Sequence, residues 1–320
     1  MFRAVATGIL AACLLVAGPA SAEKPAIQTT GGILQDYDPA PAMWVLKDED
    51  TTIYMLGTIH VLPPGFRWRN PQLDAIVAEA DELVLESTEE QSAISMDRLG
   101  PKMQAIADAR RPTSEQLSPA VRNKWRALVE LSGLEFERTD SMPLMVALLG
   151  FGFAGVGADD TGSTYEYGVE TVLEEEFRAT DRPISGIEDF GYVMLSLFRS
   201  RDRLVIRDLE AILSDWSGKP FDPVYGESDW GNDGEWAMEH AWAQGQLQPD
   251  MDLGYGKGKL GRTFNRLLLA NRNRAWAQWL DQRMEQPGTI LLAVGAGHFE
   301  GPQSVLAILK ERGLETKRIN

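Results

Sequence analysis

Two stretches of this sequence repeat one pattern. A β-rich run ending at Leu56 leads into Gly57-Thr58-Ile59-His60 near the start, and another over Thr289 to Val294 leads into Gly295-Ala296-Gly297-His298 near the end. No other feature restricts the fold so tightly. Each reads as a strand followed by Gly-x-x-His, in which glycine lets the backbone leave a sheet at a dihedral closed to other residues, so that the histidine hangs over the strand's carboxyl edge. That edge is where open α/β sheets bind ligands. Glu86 closes a third β-rich run, Glu82 to Leu85, and falls on the same rim if the three strands are parallel neighbours.

The remaining periodicity fits a sheet fed from both ends of the chain. Met43 to Lys47 and Thr51 to Leu56 predict a hairpin turning at Asp48-Glu49-Asp50, and Pro71 to about Ala80 predicts an amphipathic helix with Leu73, Ile76 and Val77 on one face. From Ser87 to Arg182 the pattern is mostly helical, over Met103 to Ala109, Pro119 to Leu131, Pro143 to Leu149 and Glu166 to Ala179, with Gly150 to Ser163 as a loop. Pro183 to Ile187 reads as a buried strand, Phe190 to Leu213 as helix, and Trp216 to Gly261 as a long surface excursion with one short helix near Trp236 to Trp242. A helix from Arg262 to Met284, a strand, a helix from Pro302 to Arg312 and a strand near Glu315 to Ile319 close the chain. The expected architecture is α/β: a mixed sheet with strands from both chain ends, helices packed on it, and a helical insertion of roughly residues 88–260 forming a cap. One domain over 37–320 accommodates this.

The first residues read as an address. Arg3, the apolar run Ala4 to Ala17 and Ala20-Ser21-Ala22 make a secretory signal peptide over 1–22, cleaved after Ala22, with a tail from Glu23 to Asp36 that frays. A periplasmic or secreted protein is expected. Leu10-Ala11-Ala12-Cys13 also fits a lipoprotein signal, but Leu14-Leu15-Val16-Ala17 continues the apolar run where a lipid-anchored chain begins a polar linker. Cys13 is the only cysteine, so the cleaved chain has no disulfide, thiolate nucleophile or cysteine–zinc site. No stretch after the signal is apolar enough to span a bilayer. Lys and Arg total 31 against 47 Asp and Glu, a net charge of −16, which repels nucleic-acid backbones and anionic lipid surfaces.

Several motifs lack part of their chemistry. Gly150-Phe151-Gly152-Phe153-Ala154-Gly155 spells a dinucleotide fingerprint but leads into a Gly- and Asp-rich stretch where a helix should open. Gly256 to Thr263 imitates a phosphate loop with Arg262 in place of its lysine, although Lys257, Lys259 and Arg262 would suit contact with an anionic substrate. Asp229 to Gly234 resembles a calcium loop, but Gly231 replaces an oxygen ligand and His240 replaces the bidentate glutamate. His240, among Trp236, Met238 and Trp242, reads as packed or solvent-facing, and the tryptophan-rich stretch reads as cover for the cap's core or else as a platform for carbohydrate or peptide. Neither Gly-x-Ser-x-Gly nor His-Glu-x-x-His occurs.

The runs Tyr54 to His60, Ala80 to Glu86, Glu166-Tyr167-Gly168-Val169-Glu170, Asn271-Arg272-Asn273-Arg274 and Ala293 to Phe299 together resemble the TraB/GumN family, over about Met43 to Ile319. The resemblance implies the α/β fold shared with the TIKI metal-dependent proteases and with erythromycin-esterase-like and ChaN-like proteins. Carried onto this chain it implies His60, His298 and Glu86 as metal-site residues, with Arg272, Asn273, Tyr167 and Gly168 around them; Glu170 stands where many relatives have Asp. Two imidazoles and a carboxylate leave positions open for water and substrate, and without sulfur they suit Mn, Co, Zn or Fe. A divalent metal ion there would make a hydrolase of peptide or ester bonds. Glu86 is either a ligand or the general base, while Arg272 would hold a carboxylate or oxyanion, or else pair with an acid at the core's edge, and Asn273 would donate a hydrogen bond. The alternative the resemblance allows is a non-catalytic binding protein for haem or for cell-surface polysaccharide. Oligomeric state is left open.

Overall fold

The computed structural model describes residues 33–154, 163–201, 203, 205–218, 236–247 and 258–320. Six strands form one mixed sheet: β1 (Met43–Lys47), β2 (Thr51–Thr58), β3 (Glu82–Leu85), β4 (Ile184–Gly186), β5 (Gly288–Gly295) and β6 (Lys317–Arg318), in the spatial order β4-β3-β5-β2-β1-β6. The hairpin forms as expected, with Met43 opposite Leu56 and Lys47 opposite Thr52. Its turn is fastened by Asp48, whose carboxylate accepts the Thr51 N–H at 2.9 Å. Strands β2, β5, β3 and β4 are mutually parallel, so all four finish on one edge of the sheet. β5, from the far end of the chain, lies between β2 and β3, with Thr58 opposite Gly295.

Alternation in β5 divides the core. Leu291 and Ala293 face α1 (Pro71–Glu79), while Ile290, Leu292 and Val294 face the opposite layer. Both faces are covered, so Ile290 to Val294 reads as an unbroken apolar run. After β3 the chain enters the helical insertion through α2 (Glu89–Asp108), capped by the Thr88 hydroxyl, which accepts the Gln91 N–H at 3.2 Å. Then come α3 (Pro119–Leu131) and α4 (Leu144–Ala154), followed by α5 (Val169–Ala179), which packs on the α1 face of the sheet, and α6 (Phe190–Phe198) and α7 (Ile206–Asp215). A core of its own, including Trp125, Leu128, Leu148, Phe190, Leu209 and Phe264, holds the insertion together as a cap. The chain returns through α8 (Ala237–Ala243) and α9 (Lys259–Phe264), a π-helical turn (Asn265–Ala270), α10 (Asn271–Arg283) and α11 (Val305–Glu311). The second face of the sheet is closed by Trp276 and Leu280 of α10 and by Val305 and Leu309 of α11.

The structure departs from the sequence reading in four places. The strand expected to be buried at Pro183 to Ile187 is a half-buried edge strand, because only β3 pairs with it. α4 continues through Ala154, so Gly150 and Gly152, expected in a loop, stand at the end of a helix, whereas a phosphate site needs a helix start. The last part of the tail is tied down: the Gln35 side chain donates to the Arg67 carbonyl at 2.8 Å and accepts the Arg67 N–H at 2.7 Å. The segment expected as one helix from Arg262 starts at Lys259 and carries the π turn, where Asn271 N–H reaches back to the Arg266 carbonyl. The calcium-like loop and residues 256–257 of the phosphate-loop imitation lie outside the described residues.

Candidate functional site

The four parallel strands deliver their acids and imidazoles to one place. Glu86 follows β3 directly and is buried, with the Arg272 guanidinium on its Oε2 and the Gly295 N–H donating to its Oε1 at 3.0 Å. The Nε2 atoms of both repeated histidines face that same Oε1, His298 at 3.7 Å and His60 at 4.0 Å. His298 is buried and tilted against the Trp276 ring, with centroids 4.1 Å apart, while the side chain of His60 keeps 29% of its surface exposed. The expectation that both imidazoles hang over the carboxyl edge describes this arrangement.

The glycines of the two elements act differently from the expectation. Neither has a positive φ, and Gly295 has φ −47° and ψ 132°, open to any residue. Close approach is what requires them. A Cβ on Gly295 would stand 3.1 Å from Glu86 Oε1 and 3.4 Å from His60 Nε2, between those two groups, and a Cβ on Gly57 would stand 3.1 Å from the Ala296 backbone. Gly168 is tighter still, since its Cβ would run into the His60 carbonyl. The start of α5 is thus laid against the His60 loop, with Val169 N–H donating to the Ile59 carbonyl at 3.1 Å. Gly168→Ala is expected to displace that loop and cost about 1 to 3 kcal/mol, the range for overpacking against backbone. Urea unfolding measures the loss; a midpoint equal to the parent's would show that the approach is not tight.

Each Nδ1 faces an oxygen, through a hydrogen bond at His298 and through a charge contact out of line for a hydrogen bond at His60. Glu170 in the first turn of α5 places Oε1 2.7 Å from His60 Nδ1 and also accepts the Thr58 hydroxyl. His298 Nδ1 lies 2.5 Å from Asn273 Oδ1, and Asn273 spends its amide N–H on the Gln303 carbonyl at 2.8 Å. The amide oxygen is therefore the atom presented to His298, and Nδ1 must donate. An acceptor on Nδ1 leaves the Nε2 lone pair of a neutral imidazole pointing at the shared space, the outer arrangement usual for histidine ligands.

Charge in the site is held by one cation. Arg272 meets Glu188 through Nε, at 3.0 and 2.9 Å, and through Nη2 at 2.6 Å, while Nη2 also reaches Glu86 and Nη1 donates to the Leu268 carbonyl at 2.9 Å. Trp276 Nε1 donates to Glu188 at 2.9 Å and its ring lies under the guanidinium. Burial alone would raise the Glu86 carboxyl, but Arg272 and the two imidazoles hold it well below the ordinary carboxylate range. Burial would lower His60, yet Glu170 and then Glu86 outweigh it and lift the imidazole to about 9. Burial and Arg272 keep His298 neutral, well below its ordinary value. Burial pushes Glu188 up against the pull of Arg272.

Two residues do different work from the work the resemblance implied. With Arg272 committed to Glu188, Glu86 and Leu268, it is the acid-paired arginine of the alternative reading, not a holder of substrate carboxylate or oxyanion. Asn273 gives its amide oxygen to His298 and one amide N–H to the Gln303 carbonyl, so it orients that imidazole. Tyr167 sits in a short 3₁₀ turn, half-buried against the α1 face of the core, and the working members of its motif are Gly168 and Glu170. Glu188 escaped the sequence reading. Its signal was present, because an acid follows β4 at one residue's remove as Glu86 follows β3, and Glu188 N–H donates to the Glu86 carbonyl at 3.0 Å. His240 packs, with Nδ1 2.6 Å from the Tyr37 hydroxyl and its ring against Phe66. Trp216 and Trp242 are buried, and Trp242 Nε1 donates to the Gly57 carbonyl at 2.8 Å, tying the insertion to the end of β2.

Among the described residues no three His, Cys, Asp or Glu side chains stand as a ready-made metal-ligand group. The donor chemistry nevertheless fits a divalent ion: the Nε2 lone pair of His298, the Nε2 of His60, which offers one when an incoming ion displaces its proton, an ionised carboxylate oxygen facing both, and a close approach at Gly295 that leaves no room for a side chain. No helix among the described residues is long and apolar enough to cross a membrane. The model of the TraB/PrgY/gumN family matches residues 42–318. No curated protein and no solved structure matches the chain.

Proposed function

This chain belongs to the TraB/PrgY/gumN family, and from that premise we propose that it is a metal-dependent hydrolase of peptide or ester bonds. The observation that carries the reading is the convergence of His60 Nε2 and His298 Nε2 on one oxygen of Glu86. Those three side chains would hold the ion, which when bound supplies Lewis acidity to a carbonyl and acidifies a water. Asn273 keeps the His298 proton on Nδ1 and leaves its Nε2 available as a ligand, while His60, held cationic by Glu170 and Glu86, would release its Nε2 proton as the ion binds. Glu86 serves as ligand in this reading. A carboxyl held this far below the ordinary range is too weak a base to take a proton near neutrality. Arg272, itself gripped by Glu188, keeps Glu86 ionised and fixed, and the exposed edge of His60 marks the side from which substrate enters. The leading 22 residues direct the protein to the periplasm or outside the cell in the same reading.

Isothermal titration of the metal-stripped protein with manganese, cobalt or zinc tests it. We expect one ion per chain, and a loss of at least about tenfold in affinity on His60→Ala or His298→Ala, with far-UV circular dichroism unchanged. Parent protein that takes up none of the three ions would end the metal reading. Unaltered titration in both variants would move the ion elsewhere in the molecule.

A further inference from the structure

Five arginines line one open cavity of about 480 Å3 in the cap, away from the residues assigned above: Arg110 and Arg111 beyond the end of α2, and Arg199, Arg201 and Arg203 beyond the end of α6. Its apolar part is Phe198 and Ile106. Such a gathering is unexpected on a chain of net charge −16. Arginines near helix carboxyl ends have an ordinary use, the neutralisation of the helix dipole, but two helix ends amount together to about one negative charge. Glu115 occupies Arg111, at 3.4 Å from Nε, and Asp140 acts on Arg110, whose guanidinium burial depresses to about 10. Among the described residues Arg199, Arg201 and Arg203 form no ion pair. The pocket stays cationic even when Asp202, outside the described residues, is counted against it.

We propose that this pocket binds a compact, multiply charged phosphoryl group carried by a soluble phosphate ester. Guanidinium forks match phosphoryl oxygens in pairs, and several cations held close together favour a ligand that concentrates its charge. Phe198 and Ile106 offer a surface for the organic part of the ester. The acidic remainder of the protein repels an anionic bilayer, which favours a soluble source over a lipid headgroup.

The test is titration of the intact protein with inorganic pyrophosphate at low ionic strength, beside the variant R199Q/R201Q/R203Q and the single reversal Arg201→Glu. We expect saturable binding that weakens at least about tenfold in each variant and falls as salt rises, with thermal unfolding unchanged because the three side chains reach the open face of the cavity. No binding by the parent, or equal binding by the variants, overturns the proposal. Co-sedimentation with phosphatidylcholine vesicles containing phosphatidic acid separates the sources: vesicle binding that the triple variant loses, without a response to pyrophosphate, overturns the soluble ester. The outcome is independent of metal binding by His60 and His298.

Discussion

Gly295→Ala is expected to empty the candidate site of function while leaving the fold in place. The backbone at Gly295 has φ −47° and ψ 132°, which alanine adopts without strain. The new methyl would meet Glu86 Oε1 at 3.1 Å and His60 Nε2 at 3.4 Å. Glu86 cannot retreat, because Arg272 and the Gly295 N–H hold it. The methyl therefore occupies the space an ion would need, and we expect metal affinity to fall by about 100-fold, the upper end of what disturbed metal sites lose. Urea unfolding should shift by no more than about 1 kcal/mol, since nothing in the core is displaced. A Gly295→Ala protein that titrates like the parent would show that this space is not the binding position.

Arg272→Met should produce the largest loss of stability. Among the described residues its guanidinium is the sole arginine contact of two buried carboxylates, Glu86 and Glu188, and removing one partner of a buried ion pair costs about 3 to 5 kcal/mol because the charges left behind are poorly solvated and poorly paired. Denaturant unfolding near neutral pH reads that loss. The double variant Arg272→Met/Glu188→Gln should be less damaged than the single one: Gln still accepts the Trp276 N–H but carries no charge, so the coupling between the sites is favourable. A single variant within about 1 kcal/mol of the parent would mean that water reaches these acids and that the network carries little energy.

Much of this site was legible because strand ends are written locally. Apolar runs closing on Gly-x-x-His or on Glu identify which side chains leave the sheet, and His60, His298 and Glu86 come together once the strands are parallel neighbours. What Gly295 is for is not legible in the sequence, since a close approach across the sheet leaves no mark on local sequence while a backbone dihedral preference is a property of the residue alone. Arg272 and Asn273 were assigned to substrate because a motif shows that a residue matters without showing which of its hydrogen bonds are already spent. Glu188 carries the same acid-after-strand signal as Glu86, but β4 is a three-residue edge strand, too short to mark the acid beyond it. The π turn before Arg272 depends on packing within the cap, which helical periodicity does not encode.

The position of β5 sets an order on biosynthesis. A ribosome that has released everything up to Pro287 has delivered β2 and β3 but not the strand that joins them, so Thr58 and Leu85 border a gap one strand wide. Closing it brings together segments made at opposite times of translation, a slow class of contact, and the same event brings His298 to His60. The candidate site is therefore incomplete until β5 and the turn after it have been made, and a product cut short before Gly288 loses its central strand and its second imidazole together.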